Sequence, residues 1–149
     1  MKKYSAVQNE KLKRKVGILA IVSAVIIVLL LCFWFFIGNV KTEILDDAVK
    51  VKGFANSYTI NFDDVEEVYL LSHFNEGSSS MFNSISTHKV TCGNYNNAAF
   101  GEYRLDKFNG VNRYIEIKTK SAVYVFNASS AEETEELFKQ IYTATDKKD

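Results

Sequence analysis

The spacing of apolar and polar residues changes three times along this chain, and each change predicts a different element. Residues 16–37, VGILAIVSAVIIVLLLCFWFFI, carry no charge and only Ser23 as a conventional polar side chain. A helix made of them is apolar on every face, and Ser23 can bond back to a carbonyl of its own helix. Such a helix is roughly 33 Å long, against a hydrocarbon core of about 30 Å, which predicts a transmembrane span. Beyond it the period falls to two. Val49 and Val51 alternate with Lys50 and Lys52, and after a turn at 53–57 the alternation resumes at Tyr58, Ile60 and Phe62, as in half-buried strands. Asp63 and Asp64 predict a short turn into a strand at 67–71. Residues 75–97 are rich in Ser, Thr and Asn with no sustained period, and shorter strands are expected at 84–90 and 101–105. YIEIKTK at 114–120 and AVYVFN at 122–127 predict two antiparallel strands joined by a tight turn at Lys120 and Ser121. The last change is to helical spacing. Ser130 reads as an N-cap with Glu133 as its capping-box partner, and Leu137, Phe138, Ile141 and Tyr142 fall on one face.

These elements predict a basic tail (1–15), a transmembrane helix (16–37), a short linker (38–47), one mainly-β domain with a C-terminal α-helix (48–143) and a polar tail (144–149). No small residue precedes Cys32 and no small-x-small pattern comes after the apolar run, so the run reads as an uncleaved signal anchor and neither a lipoprotein signal nor a signal peptide. Charge then orients it. The formal net charge is zero, yet Lys2, Lys3, Lys11, Lys13, Arg14 and Lys15 precede the run with only Glu10 as counter-charge. Lys11, Lys13, Arg14 and Lys15 abut the span and are expected to stay in the cytoplasm, with Trp34 at the outer interface. The expected location is the cell membrane, single-pass, with the C-terminal domain extracytoplasmic and residues 16–37 in contact with the bilayer. The chain beyond the span is net acidic, which argues against nucleic acid as a partner.

Few residues suggest chemistry. Cys32 lies in the apolar run and Cys92 stands alone, so both read as small hydrophobes. His73 and His88 lack a ligand set at zinc-like spacing, and Asp63–Asp64 reads as a turn rather than a cation site. No G-x-S-x-G, H-E-x-x-H, P-loop or dinucleotide fingerprint occurs. Glu132, Glu133, Glu135 and Glu136 read as dipole compensation and a solvated face. Asn127-Ala128-Ser129 matches a glycosylation sequon. No catalytic residue, metal or cofactor is expected. A binding surface, if present, is expected on the loop 74–97, with Met81, Phe82 and Tyr95 at the surface.

The progression VKGFANSYTINFDDVEEVYLL, the central FGEYRLD and the closing RYIEIKTKSAVYVFNASSAEETEELFKQI together resemble the bacterial pleckstrin-homology-like domain family, in particular its small membrane-anchored members. The resemblance implies a partly open barrel of about seven antiparallel strands capped by the terminal helix. Phosphoinositide-binding members place Lys and Arg in the first hairpin loop, whereas GFANSY has neither, which argues against such lipids. The expected function is a membrane-tethered binding or scaffolding module, possessing no enzymatic activity and acting through a protein partner in the membrane or envelope. The alternatives are a structural envelope protein or an enzyme subunit with an unrecognised active site.

Overall fold

A computed structural model describes residues 2–36, 38–54, 56–74 and 80–146 of the chain. It divides into two units, residues 1–36 and 37–149. The first is a single helix, α1 (Lys2–Phe36), so the basic stretch before the apolar run is helical as well. Within it Leu12–Phe33 has a mean hydropathy of 3.2 and none of it is buried against protein, which makes it long and apolar enough to cross a membrane. The Ser23 hydroxyl donates to the Ala20 carbonyl at 2.9 Å, so the one polar side chain of the run is satisfied inside the helix. Lys13, Arg14 and Lys15 are exposed. Ile37 and the side chains of Lys11 and Trp34 lie outside the described residues.

The second unit is mainly β, with two sheets and one C-terminal helix. The smaller sheet is an antiparallel meander of β1 (Lys41–Ile44), β2 (Ala48–Lys52) and β3 (Ser57–Asn61). Its first strand falls in the segment expected to be a linker. Lys41 and Glu43 look like tether residues in isolation, but Glu43 pairs with Lys52 of β2 at 2.9 Å and the strand lies in register from Lys41↔Lys52 to Ile44↔Val49. After β3 comes a single 3-10 turn, Phe62–Asp64, which places Asp63 and Asp64 in the turn that the sequence predicts.

The larger sheet contains β4 (Val65–Leu71), β5 (Ser80–Ser86), β6 (Val90–Asn97), β7 (Gly101–Phe108), β8 (Tyr114–Thr119) and β9 (Val123–Phe126), in the order β4-β8-β9-β7-β6-β5. Nine described strands therefore replace the expected seven or so, and the β7–β9 pair is parallel rather than antiparallel. The two sheets do not close into one continuous ladder. The stretch 84–90 is not one strand. Thr87 turns the chain there, its hydroxyl oxygen accepting from the Lys89 and Val90 amides, and β5 and β6 form a hairpin across the region expected to be a loop. The β8–β9 turn is where the sequence places it, closed by Thr119 N–H donating to the Ala122 carbonyl at 2.9 Å.

The central strands of the six-stranded sheet, β6 to β9, are buried on both faces, and this governs which polar residues are internal. On its inner face Val90, Cys92, Phe108, Ile115, Ile117 and Phe126 pack against Val49, Val51, Ile60 and Phe62, and against Ile141 of α2 (Ala131–Asp146). On its outer face Tyr95, Tyr103, Leu105, Tyr114 and Val125 form a second core under Phe74 and Phe100. Each fully buried aliphatic or aromatic side chain contributes about 1.5–3 kcal/mol. β8 alternates as expected, yet Tyr114 to Ile117 are all buried because the outer core covers Glu116 too. α2 begins as predicted, with the Ser130 hydroxyl accepting from the Glu133 amide at 3.1 Å. The Glu133 carboxylate bonds the Ser129 hydroxyl and not the cap backbone. The stripe facing the core runs from buried Thr134 through partly buried Leu137 and Phe138 to buried Ile141, while Tyr142 remains half exposed.

Candidate functional site: an aromatic cleft over a buried arginine–aspartate pair

Register alone assembles the residues of the inner face near the β5 end of the large sheet. Phe82 opposes Asn94, Asn94 opposes Arg104, and Arg104 opposes Tyr124. Directly opposed residues point to the same face, so these four side chains form one row across β5, β6, β7 and β9. Above the row stands Tyr58 of β3. Its ring stacks on that of Tyr124 with centroids 5.1 Å apart and lies 4.3 Å from the Arg104 guanidinium carbon. The guanidinium is thus held against an aromatic face, which favours the weakly hydrated, planar cation of arginine over lysine.

Arg104 also ties down a buried charge. Its Nε donates to Asp106 Oδ2 at 3.1 Å, with 18% of the arginine side chain exposed and none of the aspartate. The two residues are two apart on β7, which puts them on one face of a strand. Burial raises the Asp106 carboxyl above its ordinary range, against the stabilising influence of Cys92, Arg104 and Tyr58. Among the described residues Oδ1 of Asp106 has no hydrogen-bond partner, and the Cys92 thiol and the Tyr58 hydroxyl nearby act to lower the carboxyl without offsetting its burial. Tyr58 is held well above the usual phenol range, first by burial and then by the Asp106 charge. A methyl group on Gly53 would lie 2.1 Å from Asp106 Oδ1 and 3.3 Å from Cys92 Sγ, so the end of β2 can approach the carboxylate only as glycine.

Cys92 is pushed up to about 12, chiefly by burial. At pH 8 about one thiol in ten thousand is then ionised, and the thiolate is the reactive form. In a Cys32→Ala background the folded protein should therefore leave Cys92 unmodified by an aromatic disulfide reagent at pH 8, with full reaction on adding denaturant. Rapid modification of the folded chain would contradict this.

Beside this cluster opens a cleft of about 280 Å³ bordered by Tyr58, Phe82, Asn94, Tyr95, Glu102, Tyr103, Arg104 and the β9 residues Val123 and Tyr124. A larger groove of about 560 Å³ runs between residues 39–42 and α2, but its polar wall is mostly Glu132, Glu133 and Glu136, the solvated acidic turn of the helix. Of the surface residues expected to bind, Phe82 (41% exposed) borders the cleft and Met81 (65% exposed) lies on the other face of β5. Tyr95 is not a surface residue. It is 2% exposed and stacks on Tyr103 with centroids 5.6 Å apart, because its face of β6 is covered by the outer core. His73 and His88 are both exposed, after β4 and in the β5–β6 turn respectively. Among the described residues no three metal-ligating side chains converge.

Arg104, Asp106 and Tyr58 stand within motifs that the sequence pattern marks only as strands. The Arg-x-Asp spacing in FGEYRLD is the one local signal of the pair, since residues two apart on a strand share a face. Tyr58 has no such signal, because it comes from the other sheet. Compared with protein-family models, with curated proteins and with solved structures, the chain matches none.

Proposed function

We propose that this chain is a single-pass membrane protein whose β-domain is a binding module outside the cytoplasm, taking an aromatic or apolar side chain of a protein partner in the cleft beside Tyr58 and Arg104. The cleft carries the proposal: aromatic walls surround one guanidinium, the combination of apolar lining and few polar groups that defines binding sites. Its volume of about 280 Å³ lies just below the range typical of pockets for drug-sized ligands and suits a single side chain. Tyrosine and arginine are also the residue types that dominate protein interfaces. The basic residues before the span support the orientation by the positive-inside rule. A two-sheet β-domain ending in a helix supports the pleckstrin-homology-like reading, while the parallel β7–β9 pair departs from it. The GFANSY turn lacks the cations that a phosphoinositide headgroup requires.

A photo-crosslinking amino acid at Glu102, on the cleft rim, should give a discrete adduct with another protein when the full chain is irradiated in its native membrane. The same group at Lys120, in the β8–β9 turn, should give none. Equal adducts at the two positions, or none at Glu102, would count against the cleft. A reporter fused after Asp149 that works only outside the cytoplasm is expected to be active, and a reporter active only inside would overturn the orientation.

A further inference from the structure

The cleft is not the only unpartnered feature at this end of the sheet, and we infer that the free edge of β5 pairs antiparallel with β5 of a second copy of the chain. β5 is last in the strand order, and among the described residues no strand lies beyond it. Its outward N–H and C=O groups are a template for another strand. The opposite edge of the same sheet is protected. β4 carries Glu66 and Glu67, ties Glu67 to Lys118 at 2.9 Å, and packs beside α2. β5, SMFNSIS, has no charge and no proline, and it exposes Met81, Phe82 and Ile85.

A bulge in β5 makes the strand complementary to a second copy of itself. Phe82 opposes Asn94 and Ile85 opposes Cys92, three steps on β5 against two on β6. Asn83 takes up the extra residue at φ 54°, and Ser84 packs so close to Gly93 that a methyl there would lie 2.4 Å from its Cβ. Phe82 and Ile85 therefore share the inner face despite their odd spacing. A symmetric pair needs a surface complementary to itself. Rotation about a twofold axis through the bulge, normal to the sheet, sets Phe82 of each copy against Ile85 of the other. On the opposite face it sets Met81 against Ser86. The contact repeats twice and brings no like charges together. Anchoring through α1 would confine copies to one plane and raise their effective concentration, which favours a short pairing of this kind. The inference does not depend on what the cleft binds.

The full chain in mild detergent, with Cys32→Ala and the pair Met81→Cys/Ser86→Cys, should form a covalent dimer on gentle oxidation. Met81→Cys alone should not, because the two Met81 positions lie at opposite ends of the paired segment. In the chain without added cysteines, Phe82→Lys/Ile85→Lys should raise the dimer dissociation constant by about tenfold or more, since it opposes two pairs of like charges. The circular dichroism should not change, because both side chains are partly exposed. Equal crosslinking in the double and single cysteine variants, or a dimer indifferent to the lysines, would overturn the inference. So would a chain that stays monomeric but pairs with an unrelated extended peptide at this edge.

Discussion

Exchanging Arg104 for methionine should lower the unfolding free energy at pH 7 by about 3 kcal/mol, because it leaves the Asp106 carboxylate buried without its cation. The lower end of the range for a broken buried pair applies, since 18% of the arginine side chain reaches solvent. The deficit should depend on pH in a definite direction. In the native protein the folded-state pKa of Asp106 is raised. Between the ordinary carboxylate value and that raised value the folded state binds more protons than the unfolded one, so this group's contribution to stability declines as pH rises through the window. Without Arg104 the folded-state value moves higher still and the window extends upward. The gap between variant and native protein should narrow as pH falls, and nearly close once Asp106 is protonated in both. Urea titrations of the full chain in detergent, followed by tyrosine near-ultraviolet dichroism at several pH values, would measure this. A gap that does not vary with pH would mean that Arg104 stabilises through its packing on Tyr58 and not through its charge. Adding Asp106→Asn to Arg104→Met should recover most of the loss.

Replacing Asn127 with alanine should cost about 2–4 kcal/mol, because several buried backbone groups lose their partner together. Asn127 is 1% exposed. Its carboxamide oxygen accepts from the Phe108 amide at 2.7 Å, and its Nδ2 donates to the carbonyls of Phe108 at 3.3 Å and Val111 at 3.4 Å. It thereby joins the end of β9 to the end of β7 and the chain beyond it. Asn127→Asp should be nearly as damaging at neutral pH, since it keeps the acceptor for the Phe108 amide but turns a carboxylate toward two carbonyls. The same denaturation measurement decides between this clamp and a dispensable polar residue, for which alanine would cost a few tenths of a kcal/mol. The clamp also removes the sequon from consideration as a surface site: a side chain with both its oxygen and its nitrogen in buried bonds cannot carry a glycan in the folded domain.

Elements whose signal is local are legible in the sequence. The apolar stretch of α1, long enough to cross a membrane, needs only an unbroken run of nonpolar residues. β8, β9 and their turn need only alternation followed by turn chemistry, and α2 needs only a cap and an apolar stripe. Where the signal is local but irregular, the pattern misleads. The bulge at Asn83 shifts Ile85 onto the face of Phe82, which erases the two-residue period of β5, and the Thr87 turn cuts a plausible strand in half. Where the partner is distant, nothing local could help. β1 looks like a tether because its stabilisation comes from β2, and Tyr95 looks like a surface residue because the ring stacked on it comes from Tyr103 of β7, within a cluster that Phe74 and Phe100 pack against.

The candidate cleft divides along the same line. From FGEYRLD alone, Arg104 and Asp106 could be placed on one face of a strand. Only the tertiary structure brought Tyr58 from the other sheet over that face, put Phe82 and Tyr124 in its row, and buried Asp106 so that the pair carries an energetic cost. By itself the sequence determined an apolar helix long enough to span a bilayer, a mainly-β domain and the helix that ends it, because propensity and periodicity are properties of neighbouring residues. Strand order, the parallel β7–β9 pair, the two opposed cores and the cleft were decided by the tertiary structure, because each depends on which distant segments exclude water from one another.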